Sequence, residues 1–473
     1  MFVDGAWTGS LSGETFTADS PATGEVIAEI PQGTREDAQR AIGAANRAAE
    51  AWSRTTAFER AAVMHRVADA VEKRRDELAH TLTLDQGKPL HESRDEVEEL
   101  VAYWRNAAED GKRLEGRLAN SMSPGKRVLL VRRPRGVIGV ITPWNWPYTM
   151  PAELIAPALA SGNAVVWTPA STTAAAAIAL AECIVEADLP PGVFNLVTGP
   201  GSVVGDEIAR NPGTHGIGFI GSTETGRKVA EAAAGKAIVL ELGGNGPVVV
   251  MDDADLDLAA EATVTACFLC AGQSCTAGER LLVHSAVREE FVLRLADLVS
   301  ERVVLGDPFA EGTTMGPLNN AGVAEKMDEH VADALRRGAT VISGGARAEG
   351  FPTRLYWHAT VLDGVPADAL VAVEETFGPI APVIAIDSLD DAIRLTNESP
   401  YGLLSAIFTS DLAQGLRFAD SVRTGWVNIN DSSNYWEPHL PFGGRAGTAS
   451  GIGRVGGDAP MESFTELQTI TIA

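Results

Sequence analysis

No run of about 18 consecutive apolar residues occurs in this 473-residue chain, so no membrane-spanning helix is expected. The opening, MFVDGAWTGS, lacks a basic segment followed by an apolar one, which leaves the cytoplasm as the expected compartment. Cysteine is scarce. Cys183, Cys267, Cys270 and Cys275 are too few to staple so long a chain, and they fit a reducing compartment in which a thiol stays free. Positive charge is also short: 38 Lys and Arg stand against 63 Asp and Glu, a net charge of −25 that repels phosphate backbones. The basic cluster Arg132, Arg133 and Arg135 is brief, so nucleic-acid binding is not expected. Internal repeats, low-complexity tracts and long disordered linkers are missing as well.

What remains is a soluble-type composition on a chain long enough for two or three domains with a cleft between them. Residues from Arg35 to about Leu118 read as helical, rich in Ala, Glu, Arg and Leu. RVLLVRRP follows as a strand with no αβ partner of its own. From Gly136, strands and helices alternate through GVIGVIT, PAELIAPALA, NAVVWT, a helix to ECIVEA, FNLVTG, SVVGDEIAR, GIGFIG, a helix to VAEAAA, and AIVLEL. That alternation predicts a parallel sheet covered by helices. A second α/β region starts near Gly246 with PVVVM and RLLVHS, helices over Val287 to Arg302 and Ala321 to Arg337, and ATVISGG; ESFTELQTITIA ends the chain with strand-like alternation.

The stretch CFLCAGQSCTAGER surrounds Cys275 with small residues that would let a substrate reach its sulfur. A thiol is mostly protonated at neutral pH, so a nucleophilic Cys275 needs a cation, a helix N-terminus or a general base beside it; otherwise it is a buried structural cysteine. Cys267 and Cys270 form a C-x-x-C, but no second pair completes a zinc set, so no metal is expected and both read as small apolar groups on a helix leading to Cys275. Gly216 to Gly221 matches G-x-G-x-x-G by letter, yet Gly218, Phe219 and Ile220 read as strand. The anion-binding turn is better placed at Gly221-Ser222 to Gly226, ahead of a helix. In ITPWNWP, Asn145 is a single carboxamide between tryptophans and prolines just after a strand, either an oxyanion donor or a turn residue. Glu241 closes the apolar run AIVL, where burial would raise its pKa and make it a base, the other reading being an ion-paired structural residue. Glu374-Glu375-Thr-Phe377 sets an acid and an aromatic in an apolar turn.

Together TPWNWP, FIGSTETG, ELGGNGP, GQSCTAGER, EETFGPIAPV, NESPYGL and PFGGRAGTASGIGR resemble, in order and over nearly the whole chain, the NAD(P)-dependent aldehyde dehydrogenase superfamily. The resemblance implies an α/β aldehyde dehydrogenase fold: a Rossmann-like cofactor domain (1–115 and 136–244), an α/β catalytic domain (245–444) and a small β oligomerisation flap (116–135 and 455–473). The flap strands RVLLVRR and TELQTITI would pair across subunits of a homodimer or homotetramer. It implies Cys275 as nucleophile, Asn145 as oxyanion donor and Glu241 as base, with a small-molecule aldehyde as partner. NAD or NADP would lie along Thr142, Pro143, Trp144, Thr168, Ser171, Gly201, Gly205, Gly221, Ser222, Gly226, Leu242 and Gly243, with Glu375 at the nicotinamide ribose and Phe377 beside the ring. Trp146, Glu153, Tyr435, Trp436 and His439 would wall a pocket for an aromatic, apolar or amino-aldehyde. Glu241 favours water over coenzyme A or phosphate as acyl acceptor; the other readings are an acylating or semialdehyde dehydrogenase, a silent dinucleotide-binding relative and a thiol esterase. Two departures stand out. Thr168-Pro-Ala-Ser171 replaces the usual Lys-Pro-x-Glu at the adenosine ribose, leaving NAD against NADP open, and Val455 stands where many members carry an acid.

Overall fold

The computed structural model describes residues 1–473 and holds two large sheets. The first runs in the order Gly451–Ile452, Ala237–Glu241, Gly216–Ile220, Val137–Ile141, Ala164–Thr168, Phe194–Leu196, Phe2–Val3, Ala6–Trp7. Its five central strands are parallel and the short edge strands antiparallel. Central strands such as Val137–Ile141 and Ala164–Thr168 are buried along their whole length, as expected when helices cover both faces. Chain order reverses between Val137–Ile141 and Gly216–Ile220, so loops leaving the carboxyl ends of these strands diverge and open a crevice there.

The second sheet has the order Thr340–Ser343, Thr360–Asp363, Ile380–Ile386, Gly278–His284, Gly246–Val250, Leu404–Phe408, Trp426–Ile429, parallel except at its first edge. Each large sheet carries its own apolar core, one of 50 and one of 44 buried residues, which marks two folding units rather than one. The units interlock at the crevice. Trp144 packs against the second core, while Cys275 and Trp436 pack against the first.

The Arg35-to-Leu118 stretch breaks into four helices, Arg35–Ser53, Ala57–Lys73, Arg75–Gln86 and Leu90–Arg113, and the chain is already a strand at Arg117–Ala119. Capping boxes at Thr34 with Asp37 and Thr56 with Glu59 start the first two. The two expected flap strands pair with each other within the chain, which puts RVLLVRRP at the centre of a small sheet and leaves Thr465–Ile472 at its edge. Thr465–Ile472 lies antiparallel against Arg127–Pro134 over eight residue pairs within one chain, and Arg117–Ala119 adds a third strand. Residues 455–464 stay outside that sheet. Phe442 and Val455 bond each other's backbone, and Ala459–Ser463 is a short helix. No helix is long and apolar enough to cross a membrane.

Candidate active site

Four strand ends converge on the crevice. Asn145 follows Val137–Ile141, Gly221 and Ser222 follow Gly216–Ile220, and Glu241 ends Ala237–Glu241; Cys275 lies three residues after the second unit's helix and turn, just before Gly278–His284. Residues 216–220 are strand, and Ser222 caps the helix Thr223–Ala232, its hydroxyl accepting from the Thr225 N–H, so the letter match to G-x-G-x-x-G is indeed no turn.

Cys275 is delivered by a distorted turn. The helix Leu256–Phe268 stops and the backbone passes through two left-handed residues, Cys270 at φ 52° and Ala271 at φ 53°. Cys270 therefore does not sit on the helix with Cys267. Its N–H donates to both oxygens of buried Glu92, 3.1 and 3.3 Å away, which offsets the strain. Farther on, the Ser433 hydroxyl donates to the Thr276 carbonyl at 2.7 Å and clamps the cysteine loop to the 432–436 loop.

Two cavities meet at the sulfur. One, about 190 Å³, is bordered by Pro143, Trp144, Asn145, Gly221, Ser222, Leu242, Gly243, Glu375 and Phe377; the other, about 90 Å³, by Trp146, Glu153, Trp436 and Phe442. Only Cys275, Glu241 and Met150 line both. A wider hollow of about 810 Å³ on the outer face, edged by Glu72, Arg94 and Arg105, touches none of these residues.

The Asn145 amide donates one N–H to the Gln273 carbonyl at 3.0 Å, which fixes its orientation and leaves its second N–H for the cavity. Glu241 is buried and its Oε1 has no hydrogen-bond partner. Burial, then the charge of Glu153, holds its carboxyl well above the ordinary range, with Cys275 pulling the other way and Glu375 adding to the rise. The Cys275 thiol is likewise held well above its usual value, first by burial and then by Glu241. The charges acting most strongly on it, those of Glu241, Glu375 and Glu153, are all acidic.

On the larger cavity, Glu375 accepts from the Gly244 N–H at 2.8 Å, and a Cβ at Gly243 would fall 2.5 Å from the same carboxylate, so only glycine lets the acid lie against this turn. Glu279 accepts from the Thr376 and Phe377 N–H groups at 2.8 and 2.6 Å, holding Phe377 at φ 58° with its ring edge-on to Trp144, centroids 5.5 Å apart. Burial raises both Glu279 and Glu375. Gly226 sits under Leu242, where a Cβ would come within 2.3 Å of the leucine.

Several expected residues lie elsewhere. Thr142, Thr168, Ser171, Gly201 and Gly205 form a patch at the neighbouring strand ends rather than lining the 190 Å³ cavity. There the Thr142 N–H donates to the Thr168 carbonyl at 3.2 Å, Ser171 donates to the Gly199 carbonyl at 3.3 Å, and the buried Thr168 hydroxyl has no partner. Tyr435 and His439 do not line the tunnel. Tyr435 is 46% exposed with its hydroxyl bonded to Glu437, and His439 is exposed beside the same glutamate at 3.4 Å. Successive residues of this loop point opposite ways, and the inward place goes to Trp436, whose ring packs at a tilt between Tyr103 and Phe442, centroids 5.9 and 6.0 Å away. Glu153 does face the tunnel.

Sequence reading missed Glu99 and Phe442 in the tunnel and Lys326 at the larger cavity. It also missed Lys88, which is fully buried 3.7 Å over the Trp146 ring and bonded to Glu96 at 2.6 Å. Glu96 in turn accepts from the Tyr148 and Thr149 N–H groups. Breaking such a buried pair strands a charge at about 3–5 kcal/mol, so the floor under Trp146 is rigid.

The aldehyde dehydrogenase family model matches residues 7–470. A glutarate-semialdehyde dehydrogenase of Pseudomonas aeruginosa is 39% identical, covering 100% of this chain and 97% of its own. A succinate-semialdehyde dehydrogenase [NADP(+)] of Escherichia coli is 38% identical over 99% of this chain and 97% of its own. The crystal structure of betaine aldehyde dehydrogenase from Staphylococcus aureus in complex with NAD+ superposes with a TM-score of 0.96 at 34% identity, covering 99% of this chain and 94% of that one. Matched end to end in sequence and fold, the chain belongs to the aldehyde dehydrogenase family and is an NAD(P)-dependent oxidoreductase acting on aldehydes.

Proposed function

We propose that Cys275 attacks the aldehyde carbon, that Asn145 and the Cys275 backbone N–H receive the oxyanion, and that Glu241 activates the water that releases a carboxylic acid. The carrying observation is that the thiol and the base both stand where the two cavities meet. Glu241 takes the thiol proton as the sulfur adds, giving a thiohemiacetal whose oxygen is held by the free N–H of the Asn145 amide. When bound, the nicotinamide is the acceptor of the hydride that leaves this carbon. Glu241 releases the thiol proton to solvent, then takes a proton from the water that attacks the thioester on Cys275 and returns it to the departing thiolate, leaving the carboxylic acid and the free thiol. A carboxylate at this place favours water over coenzyme A or phosphate as acceptor.

The larger cavity suits the nicotinamide end of the cofactor: Glu375 offers a carboxylate, Phe377 and Trp144 flat walls, and the capped helix after Ser222 an anion-binding terminus. Thr168 and Ser171 would meet the adenosine ribose with hydroxyls alone. Without an acid to repel a 2′-phosphate or a lysine to bind it, both NAD and NADP are accepted. The test is reduction of each dinucleotide by a panel of aldehydes with neither coenzyme A nor phosphate present. Turnover with both is expected; a strict requirement for coenzyme A would overturn water as acceptor.

The four free cysteines support a cytoplasmic location. The same reading makes the protein a homodimer or homotetramer joined through the flap, whose edge strands leave Leu118, Leu467 and Ile472 exposed. Sedimentation should give a species of two or four chains, and a stable monomer would sink that part.

A further inference from the structure

The tunnel leading to Cys275 carries two carboxylates that the oxidation itself does not use. Glu153 is 7% exposed; one of its oxygens accepts from the Tyr103 hydroxyl at 2.6 Å and the other has no partner in the protein. It is the one charged residue of the buried helix Thr149–Ala160 and lines the tunnel. Glu99, from the helix Leu90–Arg113, faces the same space with neither a hydrogen bond nor an ion pair. No lysine or arginine lines this cavity. The nearest cation, Lys88, is sealed beneath Trp146 and already paired with Glu96. Buried carboxylates are normally paired, because an unpaired one costs more than the fold recovers elsewhere. Buried Glu153 and half-buried Glu99 are left without a counter-charge in the wall of the substrate channel.

We infer that Glu99 and Glu153 form a subsite for a positively charged group on the substrate, so that the preferred aldehyde carries an ammonium at the end opposite its carbonyl. This rests on the proposed oxidation at Cys275 and specifies its substrate. An ammonium offers three donors to the two carboxylates, and the Trp436 ring adds an electron-rich wall. Burial pushes Glu153 up to about 8 and Glu99 to about 7; a bound cation restores their ionised forms. The succinate- and glutarate-semialdehyde dehydrogenases to which the chain is similar are named for aldehydes that end in a carboxylate. This tunnel offers such an end no lysine or arginine to pair with. The chain therefore parts from those relatives in substrate while keeping their chemistry.

The test compares kcat/KM for three short aldehydes: 3-aminopropanal, its neutral isostere butanal, and succinate semialdehyde. Hydrogen bonds to a charged group predict a preference of about tenfold or more for 3-aminopropanal over butanal, with succinate semialdehyde poorest. In Glu153→Gln and in Glu99→Gln the ratio of 3-aminopropanal to butanal should fall about tenfold, the loss appearing in KM. A ratio that does not move in either variant, or a wild-type preference for butanal or succinate semialdehyde, overturns the subsite and leaves aldehyde oxidation standing. Failure of all three aldehydes to reduce either dinucleotide overturns the oxidation reading, and the subsite with it. The wild-type comparison needs no variant to fold, and an unchanged melting temperature with retained dinucleotide binding reports the folding of each variant.

Discussion

Cys275→Ala is expected to lose aldehyde-dependent NAD(P)H formation by about 10⁴-fold or more, the scale on which removing a covalent nucleophile acts. The change deletes one sulfur from a half-buried side chain, so the fold should survive; retained dinucleotide binding and an unchanged melting temperature would show that it has. No other thiol can substitute. Cys267 donates to the Gly278 carbonyl at 3.1 Å inside the second core, Cys270 is enclosed by Glu92 and Gln86, and Cys183 is buried beside Arg74; burial pushes the Cys270 thiol up to about 12 and Cys183 to about 11. Residual turnover above about one part in a hundred would mean that hydride leaves a non-covalent hydrate, and the thioester route would fall.

Much of the site was legible because each piece of it is short and contiguous. Asn145, Glu241 and Cys275 each lie within a few residues of a strand end, and the apolar runs that mark those strands are readable one at a time. What brings the pieces together was also legible in outline, since alternating strands and helices imply a parallel sheet with its ligands at the carboxyl ends. The parts that escaped depend on facing rather than spacing. Glu99 sits in a charge-rich helix beside Glu96 and Glu98, and nothing local separates the one that faces the tunnel from the one that holds Lys88 or the one exposed to solvent. Tyr435 and Trp436 are neighbours of similar character, yet only the second finds aromatic partners inside. The flap pairing joins residues more than 300 positions apart, and alternation identifies a strand without naming its partner.

Glu241→Gln should separate the two halves of the reaction. The amide keeps the shape of the side chain but cannot take a proton, so hydrolysis of the acyl enzyme should slow by about 10²–10⁴-fold. Rapid mixing with aldehyde would then show one burst of NAD(P)H approaching the enzyme concentration, itself slowed because the thiol now loses its proton to solvent, followed by a slower phase, and intact-mass measurement would find the acyl group on Cys275. The wild-type pH profile carries the sharper sign. Burial, Glu153 and Glu375 all hold the Glu241 carboxyl above its ordinary value, so the ionised base is scarce in mild acid and accumulates as pH rises. Deacylation in the wild type should therefore climb with pH from below neutrality towards the alkaline side. In Glu241→Gln that limb should flatten, leaving only the dependence on hydroxide. If the limb survives unchanged, the titrating group is another, and Glu241 is a positioning residue rather than the base. If the variant shows neither burst nor acyl adduct, solvent cannot replace Glu241 in deprotonating the thiol, and the carboxylate is required from the first step.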